Sequence, residues 1–162
     1  MPERVWRASL VATVATLALT VVHHVYGGIL YDTPWRIHGV ALGVLGLVIA
    51  GVAYRRRSRP VWARGYLLTS GLLFGVVVGL FEGGYNHAVK DALFAVRLDP
   101  ATLARLFPPH PWVAPDDALF EVTGVLQLPL GVVVVTLAGV LWSTIGADPS
   151  GGFRRGRRPR RR

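Results

Sequence analysis

The chain has 162 residues, of which 52% are hydrophobic and 17% are charged. This length fits a single domain, and the few charges are segregated between long uncharged stretches, which indicates lipid rather than water as solvent. The sequence has no cysteine and its one methionine is Met1. Disulfides, thiolate metal ligands and thioether metal ligands are therefore excluded.

The net charge of +9 is concentrated in two arginine-rich segments, residues 55–59 and residues 154–162. Each segment follows a hydrophobic stretch at its C-terminal end, which is typical of topology signals and of contacts with anionic lipid headgroups. We therefore predict that the partners of the basic loop and tail are the bilayer and its anionic headgroups. We predict no binding to nucleic acid.

Four stretches are long and apolar enough to cross about 30 Å of hydrocarbon at about 1.5 Å per residue. Each must be helical, because lipid offers no hydrogen-bond partner to an unpaired backbone group. The predicted fold class is all-α, a polytopic membrane protein with a bundle of four transmembrane helices. The predicted spans are residues 8–26, 37–54, 65–81 or slightly beyond, and 118–142.

The first stretch also has features of a cleaved signal peptide. Arg4 and Arg7 precede its apolar run, and a tolerable cleavage site lies near residues 25–27. The run is long for a signal peptide, however, and two histidines near its end are unusual in one. We therefore interpret this stretch as the first transmembrane helix.

The distribution of lysine and arginine predicts the orientation of the helices. The N-terminal segment, the second connection and the tail are rich in arginine, whereas the first and third connections balance their cations with aspartates. We predict cytoplasmic N and C termini, with the plasma membrane as the location if the protein is bacterial. The long loop between helices 3 and 4 is then extracytoplasmic. Residues 1–146 form the transmembrane domain, and residues 147–162 a disordered basic tail.

Residue pairs at the helix starts predict where three helices begin. An N-cap residue near a proline is typical of a helix start. This pattern occurs at Thr33 with Pro34 and at Asp117 after Pro115. Asp99 before a proline predicts a further short helix in the third connection. The residues before it, 87–98, are predicted to extend the third helix. Leu103, Leu106 and Phe107 give this short helix an apolar face that suits the bilayer surface. Residues 108–112 should be extended, with Trp112 as an interfacial anchor.

Small residues recur at every third or fourth position of three spans, which favours close helix packing in lipid. Packing within one bundle explains these stripes, with a homo-oligomer or a partner membrane subunit as the alternative. Pro129 should kink the fourth span, and Gln127 should satisfy a backbone group that the proline frees. The stripes are Gly39, Gly43, Gly46 and Ala50; Gly71, Gly75, Gly79 and Gly83; and Gly124 with Gly131.

Ionisable side chains inside membrane spans are costly, so they mark candidate sites. Counted from the basic residue at the cytoplasmic end of each helix, three of them lie at one height of about 26 Å, and a fourth lies slightly higher. All are near the predicted outer surface. They are His24, His38, Glu82 and Glu121. His87 follows Glu82, and His23 adjoins His24 on a threonine-rich stripe of the first helix.

Imidazole and carboxylate groups at one level of a helical bundle predict a transition-metal site. Zinc, iron, manganese and copper(II) suit these ligands, whereas the lack of sulfur argues against copper(I). The Glu-x-x-His motif of soluble bundles is absent, because Glu82 and His87 are five residues apart. The predicted metal ligands are His24, His38, Glu82, His87 and Glu121, with His23 as a second candidate.

Each of these residues also has a purely structural interpretation, since histidine suits a wet interface and Glu121 suits a helix N-terminus. We therefore keep three functions open and make no decision on whether the protein is an enzyme. The first is a small membrane protein with a metal site at the extracytoplasmic helix ends. The second is a non-enzymatic membrane subunit or assembly factor. The third is a b-type cytochrome, with haem b held by two of His24, His38 and His87.

Overall fold

A computed structural model describes residues 3–107 and 115–146, and within them all regular structure is helical. Four helices are long and apolar enough to cross a membrane, as the sequence predicts. The elements are α1 (Glu3–Leu30), a 3₁₀ turn (Pro34–Arg36), α2 (Ile37–Arg55), α3 (Pro60–Ala95), α4 (Pro100–Leu106), α5 (Ala118–Val125) and α6 (Gln127–Gly146). The helices α5 and α6 together form the fourth candidate span. The predicted tail, residues 147–162, lies outside the described residues.

The third helix is longer than the apolar run that predicted it. It continues past residue 81 because its later polar side chains, including His87 and Lys90, are buried against neighbouring helices. It ends at Ala95 rather than extending to Leu98 as expected. Arg97 has a positive φ of 57°, and the Leu98 N–H donates to the Leu93 carbonyl at 3.0 Å. This pattern of bonds closes a helix C-terminus.

The central part of α3, Thr69–Val89, is wound as a π-helix. Its hydrogen bonds join residues five apart instead of four, so residues i and i+5 point in more similar directions than they do in an α-helix. In an α-helix, the same two positions point in well-separated directions. Glu82 and His87 therefore share a face of α3, although their spacing matches no α-helical metal motif.

All three predicted N-cap positions are confirmed, and two of them have a side-chain capping bond. Asp99 accepts a hydrogen bond from the Thr102 N–H at 2.9 Å, and Asp117 accepts one from the Phe120 N–H at 2.8 Å. Thr33 makes no such bond to the helix backbone. Its hydroxyl accepts instead from Arg36 Nε at 2.9 Å, because a 3₁₀ turn separates it from the start of α2.

The glycines of α3 pack against α6, which confirms the expected close helix contact. A Cβ built on Gly79 would lie 2.3 Å from the Cα of Gly131, and one built on Gly75 would lie 2.5 Å from a Val135 methyl carbon. Only hydrogen at these positions lets the two backbones approach this closely. This close contact between α3 and α6 aligns Glu82 and His87 of α3 with the residues of α5.

The fourth span is interrupted at Leu126, three residues before Pro129. This is where a proline removes helical hydrogen bonding, so the expected kink has a counterpart in the break between α5 and α6. The expectation for Gln127 is wrong. Its side chain is fully buried, and neither its oxygen nor its nitrogen has a hydrogen-bond partner among the described residues.

The short helix α4 packs partly on α3 rather than presenting its whole apolar face outward. Leu103 and Phe107 are buried, and the Phe107 ring lies 5.0 Å from that of Tyr85. The Tyr85 hydroxyl donates to the Leu106 carbonyl at 2.6 Å, while the Leu106 side chain is 41% exposed. Leu106 is thus the one member of the predicted face that remains outward. Residues 108–114, with Trp112, lie outside the described part of the chain.

The helices bury polar side chains and expose apolar ones. In α1, the buried hydroxyls of Thr13, Thr16 and Thr20 each donate to the carbonyl four residues earlier. The outward faces of α2 instead carry Leu42, Leu45 and Val48, each more than half exposed. This inverted distribution suits a lipid environment, where apolar side chains face the solvent and polar groups must find partners inside.

Candidate metal centre

His23 of α1 is fully buried, and its ring orientation is fixed by α5. Its Nδ1 lies 3.1 Å from the Phe120 carbonyl oxygen and 3.2 Å from the Thr123 hydroxyl. A carbonyl oxygen only accepts hydrogen bonds, so Nδ1 carries the proton and the lone pair is on Nε2. Nε2 is buried and has no hydrogen-bond partner in the described structure. It faces Glu82 Oε1 at 3.9 Å.

His87 of α3 has the same arrangement from the opposite side. Its Nδ1 lies 2.6 Å from Glu121 Oε2, and because a carboxylate accepts, Nδ1 again carries the proton. The remaining nitrogen, Nε2, lies 3.8 Å from the same Glu82 Oε1. A histidine that donates its second ring N–H to a carboxylate is the usual pattern behind a metal ligand, because this bond orients the ring and raises its basicity.

The ligand atoms of His23, Glu82 and His87 lie within 4.8 Å of one another, close enough to hold a metal ion. The other oxygen of Glu82 accepts from the Asn86 amide at 2.7 Å, which orients the carboxylate. Tetrahedral coordination at about 2.1 Å separates two ligand atoms by about 3.4 Å. Side-chain movements of about 1.5 Å or less bring the three atoms to that separation.

Two aromatic contacts and one glycine fix the histidine rings. Phe120 stacks on His23 with ring centres 4.2 Å apart, and the rings of His23 and His87 meet edge to face at 4.6 Å. A Cβ on Gly124 would lie 2.4 Å from the His87 ring. Gly124 therefore belongs to the site, since any side chain there would displace His87. Its place in a stripe of small residues predicts only helix packing.

Glu121 connects His87 to a buried cation. Its Oε1 accepts from Lys90 Nζ at 3.0 Å while its Oε2 binds His87, so both oxygens have charged or polar partners. Lys90 is 5% exposed and also lies 3.8 Å from Asp91 Oδ1. Buried polar groups are accommodated when they are hydrogen-bonded in this way. Lys90 orients the Glu121 carboxylate, and no feature of the sequence identified it as part of the site.

The outer side of the cluster is covered by aromatic and charged residues. The Arg36 guanidinium lies over the Phe120 ring at 5.0 Å. Tyr31, which packs on Phe120, donates its hydroxyl to Asp116 at 2.8 Å. Burial, followed by the hydrogen bond to Asp116, raises the pKa of Tyr31, so its phenol remains a proton donor in neutral solution. These residues separate the histidines from the adjoining surface.

The structure joins some of the sequence-predicted candidates and not others. Glu82, His87 and Glu121 form one connected network. His24 adjoins His23, with ring centres 5.4 Å apart, but it packs on α2, where a Cβ at Gly39 would be 3.0 Å from its ring. His38 is exposed and belongs to no close group of potential ligands in the described residues.

His23, the second candidate, lies in the cluster with Glu82 and His87, where His24 was expected. The seven-residue pattern of α1 contains the signal for it. Small or polar residues recur at alternating steps of four and three, and this stripe includes His23 but not His24. The structure buries every member of it: Ser9, Thr13, Thr16, Thr20, His23 and Gly27.

No family model, curated protein or solved structure matches this chain. The function therefore has to be argued from the geometry of the cluster. That geometry comprises two buried imidazoles with their lone pairs directed at one carboxylate, each fixed by a hydrogen bond from its other ring nitrogen.

Proposed function

We propose that the protein is an integral membrane metalloprotein that binds one divalent transition metal through His23 Nε2, Glu82 Oε1 and His87 Nε2. One observation carries this proposal. In both histidines Nδ1 is held by an acceptor, so that both Nε2 lone pairs face the same carboxylate oxygen. Two imidazoles and one carboxylate suit zinc and iron(II) in particular, and manganese and copper(II) also accept them. Glu121 and Lys90 then orient His87 without binding the metal.

Three protein ligands leave at least one coordination position of the metal for water or a substrate. Catalytic zinc sites and mononuclear iron sites use such a ligand set, whereas purely structural zinc sites have four protein ligands. The cluster therefore supports a metal that exchanges a ligand.

The direct contact between the histidine rings favours a single metal ion over haem. Two axial histidines bind from opposite faces of the macrocycle, which then lies between their rings. The rings of His23 and His87 instead meet edge to face at 4.6 Å, with Phe120 against both. Of the residues that the haem hypothesis names, His38 is exposed on α2 and His24 packs on α2.

The second candidate function is that of a non-enzymatic membrane subunit, in which the same cluster only fastens helices together. The buried network from Lys90 through Glu121 to His87 favours it, because such a network joins α3 to α5 without any metal. The two functions predict different effects of replacing His23. Its Nε2 has no hydrogen-bond partner in the described structure, so the replacement removes a metal ligand under the first function and no Nε2 hydrogen bond under the second.

Substitution of the first-helix histidines separates the proposed ligands from their neighbours. We expect His23→Ala to abolish stoichiometric metal binding, and His24→Ala and His38→Ala to retain it, because only His23 directs a lone pair at Glu82. Metal per chain is measured by elemental analysis of full-length protein purified without chelator. Equal loss from His23→Ala and His38→Ala would place the ligands elsewhere. If wild type and all three variants lack metal, the metal site is contradicted and the subunit function is favoured.

We further propose that both termini are cytoplasmic and that the metal centre lies at the extracytoplasmic ends of the helices. The arginine distribution supports this orientation. Reporter fusions after Arg59 and after Trp142 should read cytoplasmic, and fusions within residues 31–35 or 108–112 should read external. A cytoplasmic reading within residues 108–112 would contradict the four-span topology.

A further inference from the structure

A second concave site lies at the other end of the helices, in the turn between α2 and α3. It is a pocket of about 520 Å³ lined by Arg55, Arg56, Ser58, Arg59 and Trp62. The Trp62 ring forms one wall and lies 4.9 Å from the Arg56 guanidinium carbon. Three exposed arginines thus line one small pocket, so an anion bound there would be attracted by three positive charges.

Among the described residues, the arginines of the pocket pair with no carboxylate. The sequence contains no aspartate or glutamate from residue 33 to residue 81. The nearest carboxylate in the described structure that pairs with this turn is Glu3, and it is already bound to Arg57 at 2.6 Å and to Arg7 at 3.7 Å. No ion pair of Arg55, Arg56 or Arg59 occurs within residues 3–107 and 115–146.

Arg57, by contrast, is committed to holding the turn in place. It donates to the Tyr54 carbonyl at 2.8 Å, and its guanidinium carbon lies 4.0 Å from the centre of the Tyr54 ring. Its bond to Glu3 ties the turn to the start of α1. The turn therefore has a defined shape, with one arginine used structurally and three directed outward.

The surroundings of the pocket indicate a ligand that is itself in the membrane. The pocket lies where two candidate membrane spans end, and Val52 and Val61 beside it are 41% and 72% exposed. A lipid bound there would place its phosphate among the guanidinium groups and its acyl chains along these apolar side chains. Guanidinium groups bind phosphate through paired N–H donors, and aromatic rings such as Trp62 favour the headgroup level.

We propose that this pocket binds the phosphate-bearing headgroup of an anionic phospholipid. The proposal is independent of the metal centre, which uses none of these residues. It differs from a general attraction of basic segments to anionic membranes, because it assigns binding to three arginines that share one pocket. Other arginines of the chain with the same charge should contribute far less.

The test is a titration of full-length protein in mild detergent with short-chain phosphatidylglycerol, with phosphatidylcholine of the same chain length as the neutral lipid. The pocket variant carries Arg55→Gln, Arg56→Gln and Arg59→Gln. The matched control removes the same charge from the tail through Arg157→Gln, Arg158→Gln and Arg160→Gln. At about 1 kcal/mol per arginine, we expect the pocket variant to bind phosphatidylglycerol about a hundredfold more weakly. The control should lose far less affinity than the pocket variant, because in detergent the tail meets single lipids and no anionic membrane surface.

A conservative variant keeps the proposal testable if the glutamine variant fails to fold or inserts in the wrong orientation. Lysine at the same three positions retains the charge but loses the forked geometry, so we expect about tenfold weaker binding. Inorganic phosphate distinguishes the sources of the anion, and millimolar phosphate should not displace the lipid. Displacement by phosphate would show a free-anion site instead. Equal binding by the pocket variants and the control, or no preference over phosphatidylcholine in wild type, would overturn the proposal.

Discussion

Replacing Glu82 by glutamine should lower metal affinity more than about a hundredfold while leaving the fold intact. Loss of a partner behind a metal ligand costs about 10–100-fold, so loss of the carboxylate that faces both imidazoles should cost more. Glutamine preserves the shape of the side chain, and a hydrogen bond within a membrane protein contributes only about 1 kcal/mol. The change in helical content and in thermal stability should therefore be small.

The measurement is competitive metal binding to purified full-length protein, with circular dichroism as the test of folding. Glu3→Gln is a suitable control, because it makes the same chemical change at the far end of α1, where Glu3 pairs only with arginines. Metal affinity that is equal in Glu82→Gln and Glu3→Gln would remove Glu82 from the site. A Soret band that survives Glu82→Gln and disappears with a histidine substitution would favour the cytochrome hypothesis instead.

Replacing Gly79 by alanine should destabilise the protein by about 2–3 kcal/mol, the usual cost of overpacking a tight interface. The added Cβ would lie 2.3 Å from the Gly131 Cα. Because the contact is with backbone, no side chain can rotate to relieve it, and α3 and α6 must separate. We also expect weaker metal binding, since Glu82 and His87 lie on α3 while the partners of the histidines lie on α5.

Gly65→Ala on the same helix is the matched control for Gly79→Ala. A Cβ at Gly65 meets no atom within 4 Å, so its main effect is a gain in helix propensity of up to about 1 kcal/mol. Thermal unfolding in detergent should therefore give changes of opposite sign for the two variants. Equal stability of the two variants would contradict the proposed packing of α3 against α6.

Much of the fold follows from local properties of the sequence. The four candidate spans are confirmed because hydropathy and length alone determine them. The caps at Asp99 and Asp117 are confirmed because they depend only on a side chain and the next three residues. Thr33 is an N-cap followed by Pro34, as predicted, but its side chain makes no capping bond. The 3₁₀ turn that follows it depends on contacts such as that of Arg36 with Phe120, which no local pattern contains.

The sequence predicts the position of each candidate residue along its helix, but not the direction in which its side chain points. Counting residues along each helix gives the level of a side chain, and at that level His24 and His38 are equivalent to Glu82. Only the packing of the helices determines which of them face one another. The π-helical winding of α3 adds a second obstacle, since it brings Glu82 and His87 onto one face at a spacing that an α-helix would separate.

The partners behind the ligands were also hidden from the sequence. The sequence places Lys90 among the charges of the third connection, yet it is buried and bound to Glu121 at 3.0 Å. The small-residue stripe indicates a packing role for Gly124, yet its missing side chain makes room for the His87 ring. Both roles arise from contacts between α3 and α5, which are more than 30 residues apart along the chain.

Equilibrium metal binding by wild-type protein tests the metal centre most directly. Full-length protein, purified without chelator, is dialysed separately against zinc, iron(II), manganese and copper(II), and metal per chain is measured after removal of loosely bound ions. We expect one equivalent of at least one of these metals per chain, with X-ray absorption giving a first shell of nitrogen and oxygen that includes two imidazoles. Protein that is folded and yet retains none of the four metals would contradict the proposed function.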